Sequence, residues 1–200
     1  DILTNIIFFF ISIFIFIFSI GTEKETLSLL GVGILWTLLL LSSTLSLRKF
    51  YQDDYETGNL TILHLNGFSF EILVILKTLS HFVFVQIPFL LAIPIASILI
   101  NLPIDKLYNL LISFLIGSMI LSALGSISSS MNLLNKRNYL LGSAIVMIFS
   151  VPIIIFSVGI INTDDNFNSL ISILFGILLI IFAINPWAGA ACLKIALENN

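Results

Sequence analysis

The chain has 200 residues, 58% of them hydrophobic and 10% charged, with a formal net charge of −3 and a mean hydropathy of +1.16. Soluble domains carry about 25% charged residues, and a fold of this size hides only about 70% of the surface its chain exposes. Composition therefore excludes a soluble enzyme, a nucleic-acid-binding protein and a disordered chain, and points to an integral membrane protein. The lone Cys192 excludes an internal disulfide and a four-cysteine zinc site.

Six long stretches lack Asp, Glu, Lys and Arg: 2–22, 26–47, 78–104, 107–135, 138–163 and 166–193. A helix needs about 20 apolar residues to cross a hydrocarbon core of about 30 Å, and every one of these stretches is long enough. A transmembrane barrel would instead alternate apolar and polar residues in segments of about 10, whereas 6–18 is apolar on every face. The expected fold class is an all-α polytopic membrane protein with six transmembrane helices, at about 2–21, 27–47, 78–100, 108–131, 139–161 and 169–193.

The first stretch opens on Asp1 without a basic leader, and Ile20-Gly21-Thr22 is a poor cleavage site. It is expected to be a true span, with residue 1 a truncation or processing point. After the second stretch comes the longest connection, 48–77, with Arg48, Lys49, Asp53, Asp54, Glu56, Glu71 and Lys77. Gly58 and Asn66-Gly67 punctuate it, which predicts a pair of short helices. Leu60, Leu63 and Leu65 give residues 59–65 a modest amphipathic pattern, suited to the membrane interface or to a partner.

Within the spans, Pro88, Pro94, Pro152 and Pro186 each lack a backbone donor and are expected to kink or break their helices. Gly and Ser gather in the fourth stretch, from Gly117 to Ser130, which suits close helix packing. Connections after the second and fourth stretches and the C-terminal end carry Arg48, Lys49, Lys77, Lys136, Arg137 and Lys194; the others carry only Lys24 and Lys106. The positive-inside rule then puts both termini and 48–77 in the cytoplasm.

Candidate chemistry is sparse. Asp53-Asp54-Tyr55-Glu56 could hold Mg²⁺ against a diphosphate, as in membrane prenyltransferases. The second acidic pair, Asp164-Asp165, falls on the opposite side of the membrane, so the two-sided clamp is missing and a solvated or partner-contacting loop is favoured. His64 and His81 are the only histidines and the only imidazoles able to ligate a metal or haem iron. His81 follows Lys77 by one helical turn, so both are expected on one face near the membrane surface, with their polar tips in the headgroup layer. No catalytic motif of a known class appears, so the chain is expected to have no enzymatic activity and to take any ATP-derived energy from a separate subunit.

An ordered set of motifs carries a resemblance. Gly33-Ile34-Leu35-Trp36, Leu40-Leu41-Ser42-Ser43, Phe50 with Asp53-Asp54, Gly58 and Leu60, and Lys77 with His81 resemble the CcmB family, permease subunits of the cytochrome c maturation ABC transporter. Ser19-Ile20-Gly21, Pro88, Lys136-Arg137, the segment around Pro152, and Asn185-Pro186 before an Ala-rich end extend the match along the whole chain. Departures are Leu65-Asn66-Gly67, where the family has a Leu-Pro-Leu type stretch, and Phe82, where a Trp often follows the histidine.

The resemblance implies a six-span exporter-type permease that pairs with itself and with a CcmA-like ATPase, and that assembles with CcmC- and CcmD-like subunits. It implies haem handled by the complex with no cofactor of the chain's own, and no nucleic acid. It also implies the inner (plasma) membrane of a bacterium, or the mitochondrial inner membrane. On this reading 48–77 is a cytoplasmic coupling loop, with Asp53, Asp54, Glu56, Gly58, Leu60 and Leu63 contacting the ATPase, and Lys77 and His81 as further functional candidates. The alternative is a membrane assembly factor that docks partners without transporting anything.

Overall fold

A computed structural model describes residues 2–21, 23–47, 50–134, 140–162 and 166–198. Arg48, Lys49, Lys136, Arg137, Asp164 and Asp165, which weigh in the orientation and acidic-pair arguments, lie outside the described residues. The chain runs through α1 (Ile2–Ile20), α2 (Lys24–Leu47), α3 (Gln52–Glu56), α4 (Asn59–Leu65), α5 (Phe70–His81), a π-helical turn (Phe82–Gln86), α6 (Ile87–Leu99), α7 (Ile104–Leu134), α8 (Leu140–Asn162) and α9 (Phe167–Glu198). Among the described residues six helices are long and apolar enough to cross a membrane, α5, the π turn and α6 counting as one of them. The chain is an all-α polytopic membrane protein.

The helix that carries the third span begins at Phe70, so Lys77 lies inside a helix instead of closing a loop. Ser69 caps it, its hydroxyl accepting from the Ile72 amide at 3.4 Å, and Lys77 is neutralised by an ion pair with Asp54.

The prolines divide into two behaviours. α6, α8 and α9 run unbroken past Pro94, Pro152 and Pro186. Pro88 instead follows the π turn, where the Ile87 amide reaches back five residues to the Phe82 carbonyl. The wider turn gives a local escape from the clash and lost bond a proline imposes on the preceding turn.

Helix contacts are set by small residues, because lipid supplies no hydrophobic drive between helices. A Cβ on Gly117 of α7 would stand 2.4 Å from the Trp36 ring of α2, and one on Gly189 of α9 would stand 2.9 Å from Val74 of α5. Trp36 is 1% exposed and tilts against Phe114 at 5.6 Å. Phe9 of α1 meets Phe89 of α6 edge-on at 5.5 Å. α7 is the most enclosed span, and three of its buried hydroxyls return to their own helix: Ser113 donates to Leu110 O, Ser118 to Leu115 O and Ser130 to Ile127 O.

Both chain ends lie at one end of the bundle. The start of α1 shares a cleft with the end of α2 and with Lys77, and the Tyr55 hydroxyl of α3 donates to the Ala196 carbonyl near the end of α9 at 3.1 Å. At the far end Lys24, Asn101, Lys106 and Asn162 come together.

Candidate functional site

The polar groups that the apolar composition makes conspicuous converge where α3 and α4 meet the spans. Gly58, at φ 76, separates these two short helices, a left-handed conformation that glycine reaches without a Cβ penalty. Gly67, at φ 92, follows Asn66 at the end of α4. The two helices are fastened to the spans at several points.

Phe50 and Tyr51 form the first fastening. Tyr51 is fully buried, and its hydroxyl shares a 2.7 Å hydrogen bond with Ser126 of α7. Burial pushes its phenol above the ordinary tyrosine value, more than the Ser126 bond lowers it. Phe50 stacks on the His81 ring at 4.8 Å. The second fastening is the ion pair from Asp54 of α3 to Lys77 of α5, both side chains partly buried. The third is Leu60 of α4, fully buried in the hydrophobic core.

The His81 side chain turns into the bundle and does not run outward beside that of Lys77. The side chain is buried, with Nε2 2.9 Å from the Ser46 hydroxyl of α2 and Nδ1 3.0 Å from the Ser122 hydroxyl of α7. Ser46 already donates its proton to the Ser43 carbonyl at 2.6 Å. Hydrogen-bond bookkeeping thus assigns the proton to Nε2, which donates to Ser46, while Nδ1 accepts from Ser122. Lys77, one turn away, turns to Asp54 instead. The physical reason is that the bundle supplies buried hydroxyls to the imidazole and a carboxylate to the ammonium.

Other polar groups extend the cluster inward. Asn185 of α9 donates to the Thr78 hydroxyl at 2.9 Å, and Thr78 donates to Val74 O at 2.8 Å. Gln86, 1% exposed and part of the π turn, has no hydrogen-bond partner at either side-chain atom among the described residues. His64 stands apart from this cluster: its ring stacks on Phe70 at 4.1 Å and Nδ1 lies 3.1 Å from the Phe68 carbonyl.

The predicted contact residues separate into two sets. Asp53 and Glu56 are exposed, Gly58 and Leu63 half-buried. Asp54 and Leu60 are anchors that face into the protein, so the expectation that Leu60 joins an outward amphipathic face is corrected. The apolar residues α4 does present outward are Ile62 and Leu65, 54% and 80% exposed. Sequence reasoning missed Tyr51, Ser46, Ser122, Ser126 and Asn185 as members of the cluster. A signal for two of them existed in the four-residue spacing of Ser118, Ser122, Ser126 and Ser130, which puts them on one helix face.

A partly open cleft of about 480 Å³ lies beside the cluster, between the start of α1, the end of α2 and α5. Lys77, His81, Ser46 and Asn5 contribute its polar lining, and Leu45, Phe84 and Val85 part of its apolar wall.

The comparisons agree with one another. The profile of the CcmB protein family matches residues 1–196. A "Heme exporter protein B" from Haemophilus influenzae is 29% identical over 203 residues, covering 100% of this chain and 91% of the relative. Proteins of the same name from Paracoccus denitrificans and Rhodobacter capsulatus are 33% and 30% identical, covering 90% and 96% of this chain and 84% and 89% of the relatives.

Proposed function

The chain belongs to the CcmB protein family, and from that premise we propose that it is the membrane permease subunit of a haem exporter serving cytochrome c biogenesis, driven by a separate ATPase subunit. The observation that carries the reading is the construction of α3–α4. This segment is too short to be a domain, yet it is tied to three spans through Tyr51–Ser126, Lys77–Asp54 and Tyr55–Ala196. A force applied to its outer face reaches α7, α5 and α9 without passing through a flexible connection. That is what a permease without a nucleotide site needs from the surface on which its ATPase acts.

On this reading α3–α4 faces the cytoplasm, in agreement with the Lys/Arg distribution. The docking face consists of Asp53, Glu56, Leu63, Ile62 and Leu65 around Gly58, while Asp54 and Leu60 transmit from behind it. Family resemblance adds a CcmA-like ATPase as the docked partner, a second copy of the permease, and CcmC- and CcmD-like subunits. Both nitrogens of His81 are engaged with hydroxyls and its ring is stacked on Phe50, so the imidazole is read as structural and haem as cargo of the complex.

The test is to reverse Asp53 and Glu56 to Lys together, since one exposed charge pair contributes only about 0.2–1 kcal/mol. Membranes carrying the double variant are expected to lose the co-expressed ATPase while the permease keeps its thermal midpoint in detergent. Full retention of the ATPase and normal cytochrome c maturation would overturn the docking assignment.

A further inference from the structure

The cleft between α1, α2 and α5 is built for more than helix packing. Its volume of about 480 Å³ lies within the range of small-molecule sites, about 300–1,000 Å³. It sits where α1 begins and α2 ends, which is the depth of the lipid headgroups for any span that starts and stops there. Its apolar rim is continuous with the outer surface: Leu45 is 52% and Phe84 63% exposed. Inside, the lining turns polar.

Two side chains in that lining carry donors suited to an anion. Asn5 is 6% exposed and lines the cleft, where its amide offers a donor and an acceptor. Lys77 carries three donors, of which Asp54 takes one. Ser80 adds an exposed hydroxyl to the same lining. Donors converge here, with apolar walls leading outward to lipid.

We propose that this cleft holds one membrane phospholipid, its phosphate diester accepting from Lys77 Nζ and the Asn5 amide and its acyl chain lying along Leu45 and Phe84. The bilayer supplies the ligand at the right depth, and the phosphate supplies further acceptors to Lys77 and Asn5. The site lies against the Lys77–Asp54 pair, so an occupied cleft steadies the joint between α3 and α5. The proposal stands on the cleft itself and not on the exporter reading.

Native mass spectrometry of the detergent-purified chain, titrated with phosphatidylglycerol, tests it. One saturable lipid per chain is expected, with affinity at least tenfold lower in Asn5→Leu, which keeps the volume and removes the donor. Ser80→Phe, a change at an exposed position that fills the cleft, is expected to lose the lipid as well, and it decides the matter should Asn5→Leu fail to fold. Equal, non-saturating lipid uptake by wild type and Ser80→Phe overturns the proposal. Displacement of the lipid by an equal concentration of glycerol phosphate would show a free-phosphate site and overturn it too. Stoichiometric displacement by haemin would reassign the cleft to haem, refuting the lipid while supporting the exporter; loss of ATPase docking alone would leave the lipid site standing.

Discussion

Tyr51 and Ser126, separated by 75 positions in sequence, share a 2.7 Å hydrogen bond in the interior of the protein. The bond fastens the start of the α3–α4 segment to α7, the most enclosed of the spans. Removing the two partners is not symmetrical. Ser126→Val leaves a buried phenol hydroxyl unpaired, a cost of about 1–3 kcal/mol, whereas Tyr51→Phe leaves a serine that can turn to its own helix carbonyl. Thermal unfolding in detergent is expected to show the larger loss for Ser126→Val; an equal or reversed order would refute the role of the bond.

The same tyrosine predicts a pH dependence. Burial holds its phenol above the ordinary value, about 10 in the unfolded chain. The folded state therefore keeps the proton longer, so the stabilisation is fully present below pH 10 and is lost as pH rises above it. The fall in thermal midpoint above pH 10 is expected to be smaller in Tyr51→Phe than in the wild type. Parallel curves for the two proteins would show that Tyr51 does not contribute.

His81→Gln and His81→Leu separate the hydrogen-bonding role of the imidazole from its packing. Glutamine offers one donor and one acceptor group to Ser46 and Ser122, while leucine offers neither. His81→Gln is expected to fold and to mature cytochrome c at reduced levels, with His81→Leu less stable by about 1–2 kcal/mol. The purified subunit is expected to show no stoichiometric haem absorption band. A Soret band in the isolated chain that disappears in His81→Gln would make the histidine a haem ligand.

Gly117 tests the close approach of α2 and α7. A Cβ there meets the Trp36 ring at 2.4 Å, and overpacking of this kind costs about 1–3 kcal/mol. Gly117→Val is expected to lower the thermal midpoint strongly, and Gly33→Ala, with nothing within 4 Å of its Cβ, to leave it nearly unchanged. Similar midpoints for the two variants would contradict the packing described.

Orientation is accessible to single cysteines in a Cys192→Ser background. Asp105 and Asn166 lie near the bundle end opposite Glu56, and all three are exposed. An impermeant thiol reagent added to sealed cells is expected to label Asp105→Cys and Asn166→Cys and to spare Glu56→Cys. Labelling of Glu56→Cys alone would invert the protein in its membrane.

Six spans, the all-α class and the turns at Gly58 and Gly67 were legible from sequence. Burying charge in lipid is so costly that uncharged runs mark spans directly, and backbone turns have local residue requirements. That the helix of the third span begins at Phe70 was not legible, because Glu71 and Lys77 interrupt the uncharged run and the partner of Lys77, Asp54, lies 23 positions away. The environment of His81 was hidden for the same reason: spacing on one helix pairs it with Lys77, but its hydrogen-bond partners, Ser46 and Ser122, come from two other spans. Leu60 and Leu65 look alike in the heptapeptide of α4, and only packing decides that one is an anchor and the other a surface residue. Solvent preference is a property of each residue and is written in the chain. Which buried hydroxyl, carboxylate or cleft a polar side chain meets is a property of the assembled helices, because all those partners are distant in sequence and selected by how closely the spans approach.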